Sequence, residues 1–396
     1  MEAHAHSHAH EDVELNPATW SDPKRYAWLL GIVVPLTPFI AWASVEATGL
    51  EFFWFVGPLL VFVAFPLLDI AIGMDATNPP DSVLKWLEQD RYYRWCTYLF
   101  IPIQFAGLVF ACWLWASGDL SVAESIGLAV TMGVVGGIAI NTAHELGHKR
   151  ASMERWLSKV ALAQTGYGHF FIEHNRGHHV RVATPEDPAS SRLGESFWAF
   201  LPRTVVGSLR SAWGIERERL GRGGHSAWSW RSDILQAWAM TIVLFGTLTA
   251  VFGLVVLPYL LIQALGFTLL EVVNYLEHYG LLRQKREDGR YERCLPEHSW
   301  NSNNVASNVL LYHLQRHSDH HANPTRRYQA LRHVDEAPQL PTGYAGMIVL
   351  AWFPPLWRRV MDPLLVEHYE GDLSRANIQP RARKRILARY GAGASA

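Results

Sequence analysis

VAESIGLAVTMGVVGGIAINTAHELGHK, residues 122–149, decides how this chain is read. It begins as an apolar run of the length that crosses a bilayer as a helix, roughly 20 residues. It ends in two histidines four apart, His144 and His148. On a helix that spacing stacks both imidazoles on one face, where they can close on a single metal ion. Three more clusters follow: EHNRGHH (173–179) with His174, His178 and His179, NYLEHYG (274–280) with His278, and LQRHSDHH (314–321) with His317, His320 and His321. His278, like His144, closes a long apolar run. The chain reads as a metal centre built at the mouth of a membrane bundle.

Composition supports the membrane half of that reading. The chain is 49% hydrophobic and only 18% charged, where a soluble enzyme carries about a quarter charged residues. Apolar stretches near the length of one crossing occupy about 26–45, 52–72, 95–116, 122–143, 234–256 and 257–278. Pro258 separates the last two, and about 45 apolar residues exceed any single crossing, so a tight hairpin at 257–258 is expected. The connections 46–51, 117–121 and 257–258 contain no Lys or Arg; all 35 basic residues lie in the remaining segments. By the positive-inside rule those segments face the cytoplasm, with both termini, and every histidine box falls on that side. The expected fold is an all-α integral membrane protein with six transmembrane helices and a cytoplasmic helical cap carrying the boxes. Its divisions are a His-rich tail (1–25), helices one to four (26–143), an insert with boxes one and two (144–232), helices five and six (233–280), and a C-terminal region with the last box (281–396).

The MEAHAHSHAHED start reads as a disordered tail that picks up metal adventitiously, and no removable signal is evident before the first apolar run. Cys96, Cys112 and Cys294 are too few and too dispersed for a disulfide framework or a zinc ribbon. Without a CxxC pair the chain has no iron–sulfur or rubredoxin-type electron module of its own. No nucleic-acid partner is expected.

Imidazole-rich, thiolate-free ligation suits iron, copper, nickel or zinc. Nine clustered histidines exceed one four-coordinate zinc site with an open position, which argues for two ions. His174 and His178 repeat the i,i+4 pairing of box one, with His179 turned about 100° away; His317 and His321 do likewise beside His320. Glu145, Glu173, Glu277 and Asp319 flank the boxes and are the natural carboxylates to orient ring N–H groups. Asn274 and Glu271 run from His278 down the same face into the membrane, where a carboxylate is costly and seldom idle, or else bonds a neighbouring helix. His313 shares the helical spacing of the last box and is expected no nearer than behind the ligands.

The boxes HELGHK, EHNRGHH, NYLEHYG and LQRHSDHHANPTRRYQALR resemble those of the membrane-bound, non-haem di-iron alkane 1-monooxygenases, over about residues 25–380. The related xylene monooxygenases and membrane fatty-acid desaturases share a looser pattern, and NYLEHYG tips the choice toward alkane hydroxylation. The resemblance implies two iron ions held by His144, His148, His174, His178, His179, His278, His317, His320 and His321. It also implies O2 as oxidant, a rubredoxin as electron donor (itself reduced by a rubredoxin reductase), and conversion of the terminal methyl of medium- or long-chain n-alkanes to primary alcohols. An n-alkane partitions into lipid, so the substrate is expected to enter laterally from the membrane.

Three other readings compete. HELGH is a literal HExxH, the zinc-protease motif, but that leaves seven box histidines unused. A desaturase or an aromatic methyl hydroxylase on the same scaffold is closer, and the product distinguishes it. A metal transporter would need ligands near mid-membrane. Trp54 and Phe62 read as limits on a substrate channel or as lipid contacts. LLRQKREDGRYER (281–293) and RARKRILARY (381–390) read as docking faces for an acidic donor or for anionic lipid. AGMIVLAWFPPLW (345–357) reads as an interfacial segment.

Overall fold

The computed structural model describes residues 20–391, so the histidine-rich start of the chain lies outside it. Among the described residues the secondary structure is helical, with isolated bridges and no strand. Six helices are long and apolar enough to cross a membrane: Ala27–Thr48, Glu51–Ile72, Arg91–Ser117, Val122–Gly147, Asp233–Phe252 and Val256–Glu277. Short links at 49–50, 118–121 and 253–255 join them in pairs. The long connections, with all four boxes, therefore share the opposite end of the bundle. Span one stops at Gly49, whose left-handed φ of 69° closes the helix without a Cβ clash.

The last hairpin differs from expectation. The chain turns at 253–255, beginning with Gly253 (φ 87°), and Pro258 lies inside the first turn of span six. First-turn N–H groups have no helical partner, so proline is tolerated there and does not mark the turn itself.

Span four is the axis. Its apolar window is 89% buried, against 17% for span five. Ser121 and Glu124 form a reciprocal N-terminal cap, and Trp54 of span two donates to the same Glu124 carboxylate at 3.0 Å. Trp54 is thus buried against the far end of span four, while Phe62 packs edge-on to Trp352 with centroids 4.8 Å apart. Spans four and six cross at bare backbone. A Cβ on Gly266 would collide with the Gly133 carbonyl, and one on Gly137 would stand 2.5 Å from the Gly266 carbonyl oxygen. Small residues at such a crossing let two membrane helices approach closely, which sets the separation of His144 from His278.

Part of the insert returns along the bundle. Helix Ser152–Leu162 doubles back on span four, with Ser158 donating to the Ala143 carbonyl at 2.6 Å. Just beyond it Gln164 reaches the Met132 carbonyl (3.2 Å) and pairs with Gln263 of span six (3.0 Å). Irregular backbone at this depth is permissible because protein, not lipid, surrounds it. Helix Phe197–Arg222 lies across the second box and span six, and helix Tyr344–Ala351 covers span six from the other side. The 345–357 stretch is split between that helix and Pro354–His368, burying Met347, Ile348 and Trp357 while Phe353 and Leu356 stay exposed. Asp69, near the end of span two, accepts the Ser307 N–H (2.9 Å) and hydroxyl (2.5 Å), tying the membrane part to the segment that leads into the last box.

Gly266→Ala should separate spans four and six at a packed contact and destabilise the fold by about 1–3 kcal/mol. Thermal melting of the detergent-solubilised protein measures this, and an unchanged midpoint would show that the crossing is not tight.

Candidate metal centre

Each box reaches the centre by a different local device. Span four carries His144 in its last turn and His148 as its C-terminal cap. Span six ends at Glu277 and presents His278 as its cap. The short helix His317–Ala322 supplies three rings. Box two departs from the expected geometry: Glu173–His178 is a π-helical turn, not an α-helical one. Its i→i+5 winding stacks residues five apart, so His174 pairs with His179, their Nε2 atoms 3.1 Å apart, and His178 turns the other way. Gly177 makes room for this, since a Cβ there would run into the Glu173 carboxylate.

The nine rings form two groups. His144, His148, His174, His179 and His320 make one; His178, His278, His317 and His321 make the other. Within each group the donor atoms lie within 4.8 Å of one another. Close Nε2 pairs are His144–His320 (2.9 Å), His179–His320 (3.1 Å) and His317–His321 (2.9 Å). Imidazole nitrogens about 2.1 Å from a metal, at right angles to each other, stand ~3 Å apart. These pairs therefore have the edge length of a coordination polyhedron. The groups adjoin, with His179 and His321 ring centroids 4.4 Å apart and those of His178 and His321 5.0 Å apart.

Protonation agrees with ligation. Burial, reinforced by neighbouring rings, holds His148, His174, His179, His317, His320 and His321 well below the ordinary imidazole range and pushes His278 down to about 3. Neutral imidazole is the form that binds metal. Nε2 of His148, His178 and His278 is buried with no hydrogen-bond partner. Unpaired buried polar atoms are costly, and a metal ion in each group satisfies all three. The donor set fits two ions.

The groups behind the rings differ from those expected. Asp187 accepts from His178 Nδ1 at 2.8 Å and is itself held by the Ser190 hydroxyl at 2.6 Å. Burial alone would raise this carboxyl, but His178 and Ser190 outweigh it and hold it down at about 2. The His298 carbonyl accepts from His278 Nδ1 at 3.0 Å. Sequence reasoning passed over both, and the only signal for Asp187 is a carboxylate in the loop after box two. Of the flanking carboxylates, Glu277 alone touches a ring, with Oε2 3.2 Å from His317 Nε2. Glu145 pairs with Lys149 (3.0 Å), Glu173 with Arg181 (2.9 Å), and Asp319 with Arg326 (2.6 Å). They brace the cap because each has a cation nearer than any ring N–H. Glu271 accepts from the Tyr167 hydroxyl (2.6 Å) and from Asn274 (3.3 Å). His313 stands apart: its Nδ1 bonds the Tyr328 carbonyl (2.9 Å) and its ring packs against Trp28.

A cavity of about 50 Å³ ends on both groups. Val61, Phe65, Ile138, Leu269, Leu270 and Val273 make its apolar wall, while His144, His174, His317, Asn141, Asn274 and Glu277 gather at its polar end. An apolar molecule in it would present one end to the rings. The protease reading fails here, because Glu145 is engaged by Lys149 and seven further histidines crowd the same site.

Comparison with known proteins gives a consistent picture. The family model described as fatty acid desaturase matches residues 121–351. The chain is 49% identical over 374 residues to the alkane 1-monooxygenase of Acinetobacter baylyi, covering 93% of this chain and 92% of that protein. It is 48% identical over 371 residues to alkane 1-monooxygenase 1 of Alcanivorax borkumensis, with the same coverage. A Pseudomonas putida xylene/toluene monooxygenase hydroxylase component is 28% identical over 249 residues, 61% of this chain and 65% of that protein.

Asp187→Asn should weaken metal retention about 10- to 100-fold by releasing the His178 ring. Metal counts after dialysis against graded chelator measure it, and wild-type retention would remove Asp187 from this role. Gly177→Ala should displace the Glu173 carboxylate from Arg181 and lower bound metal in the same assay.

Proposed function

The chain belongs to the alkane 1-monooxygenase family, within the wider fatty acid desaturase family, and on that premise we propose that it hydroxylates the terminal methyl of medium- or long-chain n-alkanes. It is an oxidoreductase and an integral membrane protein. The nine histidines hold two non-haem irons in this reading, five rings to one and four to the other. Bound there, the irons would supply activation of O2 and transfer of one oxygen atom. The observation that carries the proposal is the cavity whose apolar wall ends on ring nitrogens of both groups.

The protein's own share follows from that geometry. Val61, Phe65, Leu269 and Val273 exclude water and hold a hydrocarbon tail by contact alone. A hydrocarbon that enters this cavity end-on delivers its terminal carbon to the rings. Asp187 and the His298 carbonyl hold Nδ1–H of His178 and His278, which fixes the tautomer that leaves Nε2 free. Glu277 keeps a carboxylate beside His317, where it can hold or release a proton at Oε2.

Orientation and partner complete the reading. The links at 49–50, 118–121 and 253–255 carry no Lys or Arg, which supports a cytoplasmic location for the boxes and the inner membrane as the site. Electrons would come from a rubredoxin. The basic segments 281–293 and 381–390 favour an acidic partner, and so does the opening beside His148 lined by Arg150, Arg155 and Arg176. Such attraction weakens with salt.

Iron-loaded protein given octane, O2 and reduced rubredoxin should form 1-octanol, and an alkene or an internal alcohol would overturn the proposal. His278→Ala should lower iron content and abolish turnover; retained activity would remove His278 from the ligand set.

A further inference from the structure

Beside the five-histidine group, and unused by the reaction above, a file of aromatic rings leads from Tyr328 to the surface. Tyr328 begins the file, its backbone N–H donating to Oε1 of Glu145 (3.4 Å), the residue next to His144. From Tyr328 the centroid distances are 6.2 Å to Tyr93, 5.4 Å on to Tyr92 and 6.2 Å on to Tyr26. Trp28 lies 5.1 Å from Tyr328. Tyr328, Tyr93 and Trp28 are buried, and Tyr26 is 77% exposed. One carboxylate oxygen, Asp22 Oδ2, accepts from both the Tyr93 hydroxyl (2.9 Å) and the Trp28 indole N–H (3.0 Å). The Tyr328 hydroxyl reaches only a backbone carbonyl, that of Tyr93.

Packing accounts for the burial of these rings, but not for one carboxylate shared by Tyr93 and Trp28; Tyr312, 5.1 Å from Tyr328, donates only to the Cys96 carbonyl. Tyrosine, tryptophan and cysteine are the side chains most readily oxidised by one electron, and Cys96 lies in the same cluster. An oxidised tyrosine becomes stable only when its proton has an acceptor. Tyr328 has none, whereas Tyr93 and Trp28 do. A hole starting at Tyr328 would therefore settle at Tyr93.

We propose that Tyr328, Tyr93, Tyr92 and Tyr26, with Trp28 alongside, form a relay that drains oxidising equivalents from the centre when O2 is reduced with no alkane in the cavity. The proposal rests on the oxygenase reading. An electron passes through Tyr328 to the centre, which is reduced by one equivalent. Tyr93 refills Tyr328 and gives its hydroxyl proton to Asp22, becoming a neutral phenoxyl radical. Tyr92 and then Tyr26 pass an electron inward, and the proton returns from Asp22 to Tyr93. At the surface an aqueous thiol supplies the electron and releases a proton, and two thiyl radicals join as a disulfide. The relay spares the box histidines from oxidation.

The test uses the iron-loaded full chain, reduced and exposed to O2 without alkane, then frozen for electron paramagnetic resonance and digested for mass mapping of oxidised histidines. Wild type should show a tyrosyl signal that added thiol quenches. Tyr93→Phe should lower that signal several-fold and raise histidine oxidation several-fold, while its initial rate of octanol formation stays at the wild-type level. Tyr92→Phe, whose hydroxyl has no partner to lose, should keep the signal and lengthen its lifetime in thiol. It carries the test alone if Tyr93→Phe fails to retain iron. Equal signals, lifetimes and histidine damage across the variants would overturn the relay. Absence of octanol from wild type would instead overturn the oxygenase reading beneath it.

Discussion

Nine imidazoles turned inward on one another are the constraint on which the rest of this structure depends. Their nitrogens approach to 2.9–3.1 Å in a site from which water is largely excluded. Burial removes the option of protonation, so lone pairs face lone pairs unless cations lie between them. The empty cluster is therefore unfavourable and the loaded one favourable, and metal binding contributes directly to the stability of the cap. That coupling accounts for the braces around the site. The Glu145–Lys149, Glu173–Arg181 and Asp319–Arg326 pairs hold the box-bearing segments in place without touching a ring.

The membrane helices provide what the cap cannot, a fixed separation between boxes one and three. Backbone-to-backbone contact at Gly133, Gly137 and Gly266 leaves spans four and six little freedom to slide. Polar groups at that depth bond one another: Gln164 Nε2 with Gln263, and Glu271 with Tyr167 and Asn274. Such pairing is what makes a carboxylate in a span tolerable, and Glu271 does it without spending a bond on the ligands.

Much of this was legible from residues alone. Apolar runs of membrane length and i,i+4 histidines at their ends are periodic signals, and both survive folding because each depends only on its own helix. What was not legible depends on contacts between segments. The π-turn at 173–178 changes which of His178 and His179 joins His174, and its one local trace is Gly177, a residue with many other uses. Pro258 suggested a hairpin where the chain in fact starts a helix, since proline fits a first turn as well as a turn between helices. Asp187 is invisible to helical spacing because a loop brings it back under His178. Of the four flanking carboxylates Glu277 does stand beside a ring, while Glu145, Glu173 and Asp319 do not, because nearness in sequence to a box says nothing about a nearer lysine or arginine.

The division of nine rings into five and four makes the two groups unequal, and the surroundings sharpen the difference. The five-ring group includes His148, which lines a solvent opening among Arg150, Arg155 and Arg176. The four-ring group has no such exposure; its rings are all buried, and Glu277 stands at its edge. Both groups reach the apolar cavity, through His144 and His174 on one side and His317 on the other. The surroundings of the two groups thus divide by polarity: basic side chains and solvent stand beside His148, and an apolar wall faces His144, His174 and His317.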